Sequence, residues 1–278
     1  SRYQHRLAEV SRSFALCIPQ LAPPFRDQLA LAYLLMRVLD TVEDAPFTDK
    51  PTQQRQFERW RAFLRAMPSE AEVAAFAAAF PPNITDGERA LIGDTHALLA
   101  DAHGLEAPVR RTMFAAVDRM AKGMAAYMRR PTPLRLADAE DVTRYCCFVA
   151  GLVGEMLTQL WLIAHRRQRA PEMKLAYHFG VFLQKVNILK DQREDEAQGR
   201  LLVPDRCALL ASLRVHADGA LAYLQALSPE DPGYRVFCAW SLMLAATTIA
   251  ALDQPRVSHR AETAELLART PAIALDTA

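Results

Sequence analysis

Asp40 and Asp44 stand four residues apart in "DTVED" (40–44), and Asp191 and Asp195 stand four apart in "NILKDQREDE" (187–196). On a helix, a step of four returns to the same face about one turn on, ~5.4 Å along the axis. Tyr33 and Arg37 precede Asp40 at helical steps, so Tyr33, Arg37, Asp40 and Asp44 share one face. Gln184, Asn187, Asp191 and Asp195 share another. Like charges at this spacing cost an isolated helix about a few tenths of a kcal/mol. Two such pairs, each on an otherwise apolar helix, call for a compensating charge. Carboxylate and amide oxygens suit Mg²⁺, which takes one or two protein carboxylates together with waters and substrate phosphates. The alternative is that both clusters are solvated helix ends, paired with Arg37, Lys190 and Arg193. Spacing leaves both readings open, because it does not say whether the two helices face each other.

The elements that would have to position these groups read as helices throughout. Only 10 of 278 residues are Gly, and alternating strand patterns are absent. Apolar residues instead recur at three- and four-residue steps. Helices are predicted at 7–17, 24–44, 53–66, 69–79, 85–102, 106–129, 138–165, 171–195, 206–226, 232–252 and 260–268. Proline-rich punctuation separates them, as in "PQLAPP" (19–24), "FPPN" (80–83), "RRPTPL" (129–134) and "SPEDPG" (228–233). No Gly/Ser linker and no 20–50-residue repeat interrupts the pattern, so residues 1–278 are expected to form one all-α domain.

Composition narrows the function. A net charge of +1 lacks the basic excess that nucleic-acid binding requires. The seven histidines are scattered, with no pair at zinc-ligand spacing. Cys17, Cys146, Cys147, Cys207 and Cys238 are odd in number and contain no C-x-x-C, which fits reduced core thiols in a cytoplasmic protein. The longest apolar run, 236–252, reads as a buried helix and not a membrane span. The chain opens at Ser1 without Met, so a trimmed N-terminus is expected.

Four stretches carry a resemblance: "SRSFA" (11–15), "YLLMRVLDTVED" (33–44), "YCCFVAGLVGEMLTQLW" (145–161) and "FLQKVNILKDQREDEAQGRLLVP" (182–204). In order and spacing they resemble the squalene/phytoene synthase family of head-to-head prenyl transferases, over nearly all of residues 9–255. The resemblance implies an all-α isoprenoid-synthase fold with a central apolar cavity. It implies that Asp40, Asp44, Asn187, Asp191 and Asp195 handle Mg²⁺ and the substrate diphosphates, with Glu43 and Glu194 in support. Ser11, Arg12 and Ser13 match a phosphate-contacting segment, with Phe14 beside it, and Arg37 matches an arginine serving the same region. Tyr33 and Tyr145 match tyrosines near the reacting carbons, and Gln184 lies one turn deeper. Phe148, Val149 and Leu152 are expected as apolar wall. Gly151 and Gly154 admit two readings that can hold together, close helix packing and the room for a prenyl chain that the resemblance implies.

The activity implied is Mg²⁺-dependent condensation of two farnesyl diphosphates through presqualene diphosphate to squalene, with hydride from NADPH in the second half. Departures from the family pattern bear on that second half. Ala45 follows "DTVED" where Asp is usual, and Lys190 replaces an Arg, keeping the charge but losing the bidentate fork. Ser241-Leu242 stand where Pro-Gln is familiar, and a later basic stretch is reduced to "PRVSHRAE" (255–262), with Arg256 and Arg260. The alternatives are a non-reducing synthase making dehydrosqualene, hydroxysqualene or phytoene, and a non-catalytic assembly-factor relative. The last would be expected to lose the carboxylates that this chain keeps. Prenyl diphosphates are the expected partners. An apolar product makes a membrane-facing exit, and with it peripheral membrane contact, a further expectation.

Overall fold

The apolar-periodic segments fold as helices. The computed structural model describes residues 3–11, 13–166 and 171–252. Arg12, Arg256 and the helix expected at 260–268 lie outside the described residues. In chain order the helices are α1 (Gln4–Val10), α2 (Phe14–Cys17), α3 (Phe25–Asp44), α4 (Lys50–Arg65), α5 (Glu70–Ala77), α6 (Asp86–Gly93), α7 (Thr95–His103), α8 (Ala107–Met128), α9 (Ala139–Cys146), α10 (Leu152–Ala164), α11 (Met173–Ala197), α12 (Arg206–Ala226) and α13 (Pro232–Ala251).

Several boundaries depart from the sequence expectation for local reasons. The helix expected at 7–17 is broken, because Ser11 is extended (φ −150°, ψ 130°) and its Oγ accepts from the Phe14 N–H at 3.1 Å, starting α2. The helix expected at 85–102 divides at Asp94 into α6 and α7, and Arg6 of α1 donates to the Asp94 carboxylate at 2.9 Å. The segment 138–165 is continuous but widens into a π-turn at Cys147–Gly151. No strand was expected, yet Leu134–Arg135 (β1) and Arg200–Leu201 (β2) pair in parallel. Side-chain caps explain other starts. Ser69 with Glu72 and Thr85 with Glu88 form capping boxes, and Asp49, Asp138, Asp205 and Asp231 accept from the backbone N–H three residues on.

The core is built around α3. Leu34, Leu35, Val38, Leu39 and Val42 have no exposed surface. Each such side chain contributes about 1.5–3 kcal/mol by leaving water. This apolar side packs against α1, α4, α7, α8 and α10, which leaves the Tyr33–Asp44 face to line something else. The helix α11 lies along α10 and α12. Its contact with α10 and the π-turn before it is backbone on backbone: a Cβ built on Gly154 would sit 2.0 Å from the Ala176 carbonyl oxygen, and one on Gly180 2.0 Å from that of Ala150. At Gly151 the Cβ direction is filled by the Tyr177 ring at 2.7 Å and by Val181. Close packing, one of the two readings of Gly151 and Gly154, is therefore observed at both, and the Cβ direction of Gly151 is taken by α11.

Two further expectations need adjusting. Cys17, Cys146 and Cys238 are buried thiols and Cys147 is partly so, but Cys207 is exposed. The apolar run at 236–252 forms most of α13, which buries Tyr234, Phe237, Cys238, Ala239, Ser241 and Ala245 but leaves much of its other side open. Two stretches among the described residues, Ala139–Ala164 and Pro232–Ala251, are long and apolar enough to cross a membrane by length and composition. The first is 56% buried in the fold and the second 33%.

The α10–α11 contact predicts a contrast between glycines. Gly180→Ala should lower stability by about 1–3 kcal/mol, as inserted bulk does in packed cores. Gly93→Ala, with nothing within 4 Å of the new Cβ, should be neutral or stabilising. Thermal unfolding of the two variants beside the parent checks this, and equal effects would contradict it.

Candidate active site

The end of α3 is fixed by α4. Gln53 Nε2 donates to the carbonyl oxygens of Val42 and Glu43, both at 2.9 Å. These are among the acceptors that a helix C-terminus leaves unpaired. On the open face, Arg37 donates to Asp40 at 3.5 Å and to Glu88 at 2.9 Å. Glu88 uses its other oxygen in the capping box of α6, accepting from the Thr85 N–H at 2.9 Å. One carboxylate thus starts a helix and aims a guanidinium. Asp40 keeps 32% of its side-chain surface, yet loss of solvation pushes it up to about 6, with Arg37 opposing and Asp44 adding to the shift.

Glu43 is buried, and its Oε1 accepts from the Tyr145 hydroxyl at 2.9 Å, tying α3 to α9. Burial pushes Glu43 up to about 8, helped by the charges of Asp44 and Asp40. Burial likewise holds the Tyr145 phenol well above its usual range, as does the neighbouring Glu43 charge. Tyr33 is pushed up mainly by burial and is hydrogen-bonded with Ser11. Phe14 stacks obliquely on Tyr33, with ring centres 4.9 Å apart, and lies 6.2 Å from Phe237 of α13. Ser13 is exposed beside this group.

The second cluster lies at the end of α11. Asp195 is buried, Asp191 and Gln184 are partly buried, and Asn187, Lys190 and Glu194 are exposed. Lys190 pairs with Asp191 at 3.2 Å. Gly199 follows the helix at φ +75°, the left-handed conformation that glycine adopts without a Cβ penalty. That turn delivers Arg200 into β2, where the Leu134 N–H donates to the Gly199 carbonyl at 2.9 Å. Arg200 Nη2 donates to Asp195 Oδ1 at 2.6 Å, and its Nη1 donates to Asp44 Oδ1. One guanidinium therefore joins the two Asp-x-x-x-Asp helices, settling the question that spacing left open. The ion pairs of the solvated-end reading exist at Arg37 and Lys190, but the two ends face each other. Burial also raises Asp195, against the lowering effect of Arg200.

An aromatic row runs from the π-turn towards Glu43. The Phe148 ring lies over Gly123, where a Cβ would be 2.4 Å from it, and 6.4 Å from Tyr127. Tyr127 meets Tyr145 edge-on at 5.1 Å. Val149 and Leu152 are buried nearby in sequence, and Phe148 is 37% exposed. Beside Gln184, Lys185 is fully buried in α11 and donates to Thr143 of α9 at 2.7 Å and to Ser212 of α12. Burial lowers its pKa.

Arg200, Glu88, Gln53 and Lys185 were missed by sequence reasoning. For Arg200 a signal existed, since Gly just past a long helix marks a C-terminal turn that can carry the next residue back over the helix end. For Glu88 the capping box was legible, but its second use was not.

The donor set suits a hard cation and a phosphate together. Among the described residues no three His, Cys, Asp or Glu side chains form a ready-made metal cage. Mg²⁺ does not need one, since it keeps waters and takes substrate phosphates. The buried Nε atoms of Arg37 and Arg200 have no hydrogen-bond partner in this structure.

Comparison with known proteins agrees with this geometry. Squalene synthase of Eremothecium gossypii is 31% identical over 209 residues, covering 71% of this chain and 44% of that protein. Squalene synthase of Saccharomyces cerevisiae is 32% identical over 198 residues, covering 70% and 43%. The matches thus span less than half the length of these relatives. The solved complex of TcSQS with the ligand BPH1237 superposes with a TM-score of 0.79 at 25% identity, over 99% of this chain and 90% of that one. A ligand-bound dehydrosqualene synthase shares the fold, with a TM-score of 0.63 at 17% identity, over 100% and 96%. The model of the family described as squalene/phytoene synthase matches residues 7–209, a range that holds both carboxylate clusters and Arg200, and the chain belongs to that family.

Proposed function

We propose that this chain is a prenyl transferase that joins two farnesyl diphosphates head to head through presqualene diphosphate, with squalene as the product when NADPH is supplied. The observation that carries this reading is the meeting of the two Asp-x-x-x-Asp helix ends at Arg200. Asp40, Asp44, Asn187, Asp191 and Asp195 would hold Mg²⁺, which when bound would draw electron density from a diphosphate and ease its departure. The unpaired Nε–H groups of Arg37 and Arg200 would donate to diphosphate oxygens. Ser11, hydrogen-bonded with Tyr33 one turn before Arg37, and Ser13 would add hydroxyl donors.

The allylic cation formed as diphosphate leaves needs a dry, electron-rich wall. The row Phe148, Tyr127 and Tyr145 supplies aromatic faces for it, and the apolar residues around them exclude water. Closing the cyclopropane releases a proton. Tyr33, Tyr145 and the released diphosphate are the candidate acceptors for it, and burial favours the neutral phenol at both tyrosines. The Tyr145 hydroxyl, fixed on Glu43, holds its ring in place. Arg256, expected on the reductant side, lies outside the described residues.

A second reading ends without hydride, at dehydrosqualene or hydroxysqualene. It is favoured by Ser241, which keeps the backbone N–H that a proline lacks, so that α13 runs unbroken there.

Three measurements test these statements. Product analysis by mass, with Mg²⁺ and farnesyl diphosphate, should give squalene only when NADPH is added. The same C30 product with and without it would favour the second reading. Asp191→Asn should cut diphosphate release at least about a hundredfold, the loss that even outer partners of a metal ligand can carry. Its helical circular dichroism should be unchanged, and near-parental turnover would remove Asp191 from the metal role. Tyr145→Phe should slow presqualene diphosphate formation by about tenfold or more while leaving substrate affinity near its starting value. Loss confined to affinity would take Tyr145 away from the reacting carbons.

A further inference from the structure

Arg200 is tied down by backbone geometry on one side and by carboxylates on the other. Gly199 turns the chain at φ +75°, and β2 pairs with β1, with Leu136 N–H donating to the Leu201 carbonyl at 3.2 Å. The side chain keeps 20% of its surface, against 9% for Asp195 and 37% for Asp44. Arg37 is drawn away by Glu88 at 2.9 Å and reaches Asp40 only at 3.5 Å. Lys190 sits at the surface with Asp191, its side chain 48% exposed. Among the described contacts, then, Arg200 is the cation that reaches both helix ends. Its two Nη groups occupy Asp44 and Asp195, while its buried Nε–H has no partner.

Those oxygens are ones a divalent cation would use. Seated there alone, the cation would place its charge against a guanidinium held a few ångströms away by the strand pair. A diphosphate changes this balance, because it supplies acceptors for the guanidinium, including the unused Nε–H, and negative charge between the two cations.

We propose that Arg200 is a built-in counter-cation that holds the oxygens of Asp44 and Asp195 until a diphosphate draws it off, so that divalent metal binds weakly alone and tightly with its anion. The proposal rests on the reading of these carboxylates as metal ligands. By linkage, metal and diphosphate then raise each other's affinity by the same factor. The arrangement also keeps four like-charged helix-end side chains together when no ligand is present.

Mn²⁺ binding followed by electron paramagnetic resonance tests this on the whole chain, without turnover. Arg200→Gln should bind Mn²⁺ alone about tenfold more tightly than the parent, because no bound fraction is lost to the guanidinium. In EDTA it should unfold at a lower temperature than the parent, and saturating Mn²⁺ should restore more of that loss than the parent gains. Arg200→Lys keeps one charge that cannot span both carboxylates, so its Mn²⁺ affinity should fall between the two, and it serves if the Gln variant folds poorly. Asp191→Asn is the control for the site. Arg200 variants that bind Mn²⁺ no more tightly than the parent, while Asp191→Asn still weakens binding, would overturn the counter-cation and leave the metal reading standing. Mn²⁺ binding untouched by Asp191→Asn would overturn the metal reading and the counter-cation with it.

Discussion

Asp40 and Asp44 at one helix end, and Asp191 and Asp195 at another, repel one another, and Arg200 is the group through which both ends are joined. Coulomb energy between unit charges a few ångströms apart is about 1 kcal/mol in water and about 4 at the effective dielectric near a protein surface. Such repulsion would splay α3 from α11 unless something opposed it. The raised values of Asp40 and Glu43 come first from burial, with the neighbouring carboxylates adding to it.

The rest of the fold can be understood as the frame for that encounter. The apolar side of α3 is locked into the core, so its polar face has one direction in which to point. Gln53 and Glu88 hold the two ends of that face from α4 and α6. On the other side, the backbone contact between α10 and α11 at Gly154 and Gly180 sets the depth of α11, and Lys185 anchors it to α9 and α12. Tyr145 then joins the two sides by its bond to Glu43. The result is charge concentrated where the two helix ends meet, joined through Glu43 to the aromatic row of Tyr145, Tyr127 and Phe148.

The polar links that cross between helices share a feature. Glu88 is a helix cap that also holds Arg37, Arg200 is a strand residue that also closes a helix end, and Lys185 is a buried ammonium satisfied by hydroxyls and not by a carboxylate. Each joins elements far apart in sequence, separated by 51 residues for Arg37 and Glu88 and by 156 for Asp44 and Arg200.

That separation marks the line between what was legible and what was not. Helical periodicity depends on neighbours three and four residues away, so the sequence by itself determined the all-α class, the course of α3, α11 and α13, the polar face Tyr33–Arg37–Asp40–Asp44, and its counterpart on α11. The family resemblance added the pairing of the two clusters. Local hydrogen bonding at Ser11 and Asp94, and the π-turn at Cys147–Gly151, shifted boundaries that periodicity could not see, because one side-chain acceptor or one extra residue per turn barely alters the apolar pattern. Only the tertiary structure decided that Gly151 packs on Tyr177, that Glu43 receives the Tyr145 hydroxyl, and that Arg200 stands between Asp44 and Asp195. These depend on how rigid helices are docked, a choice made by the summed packing of the whole core and written in no single stretch of residues.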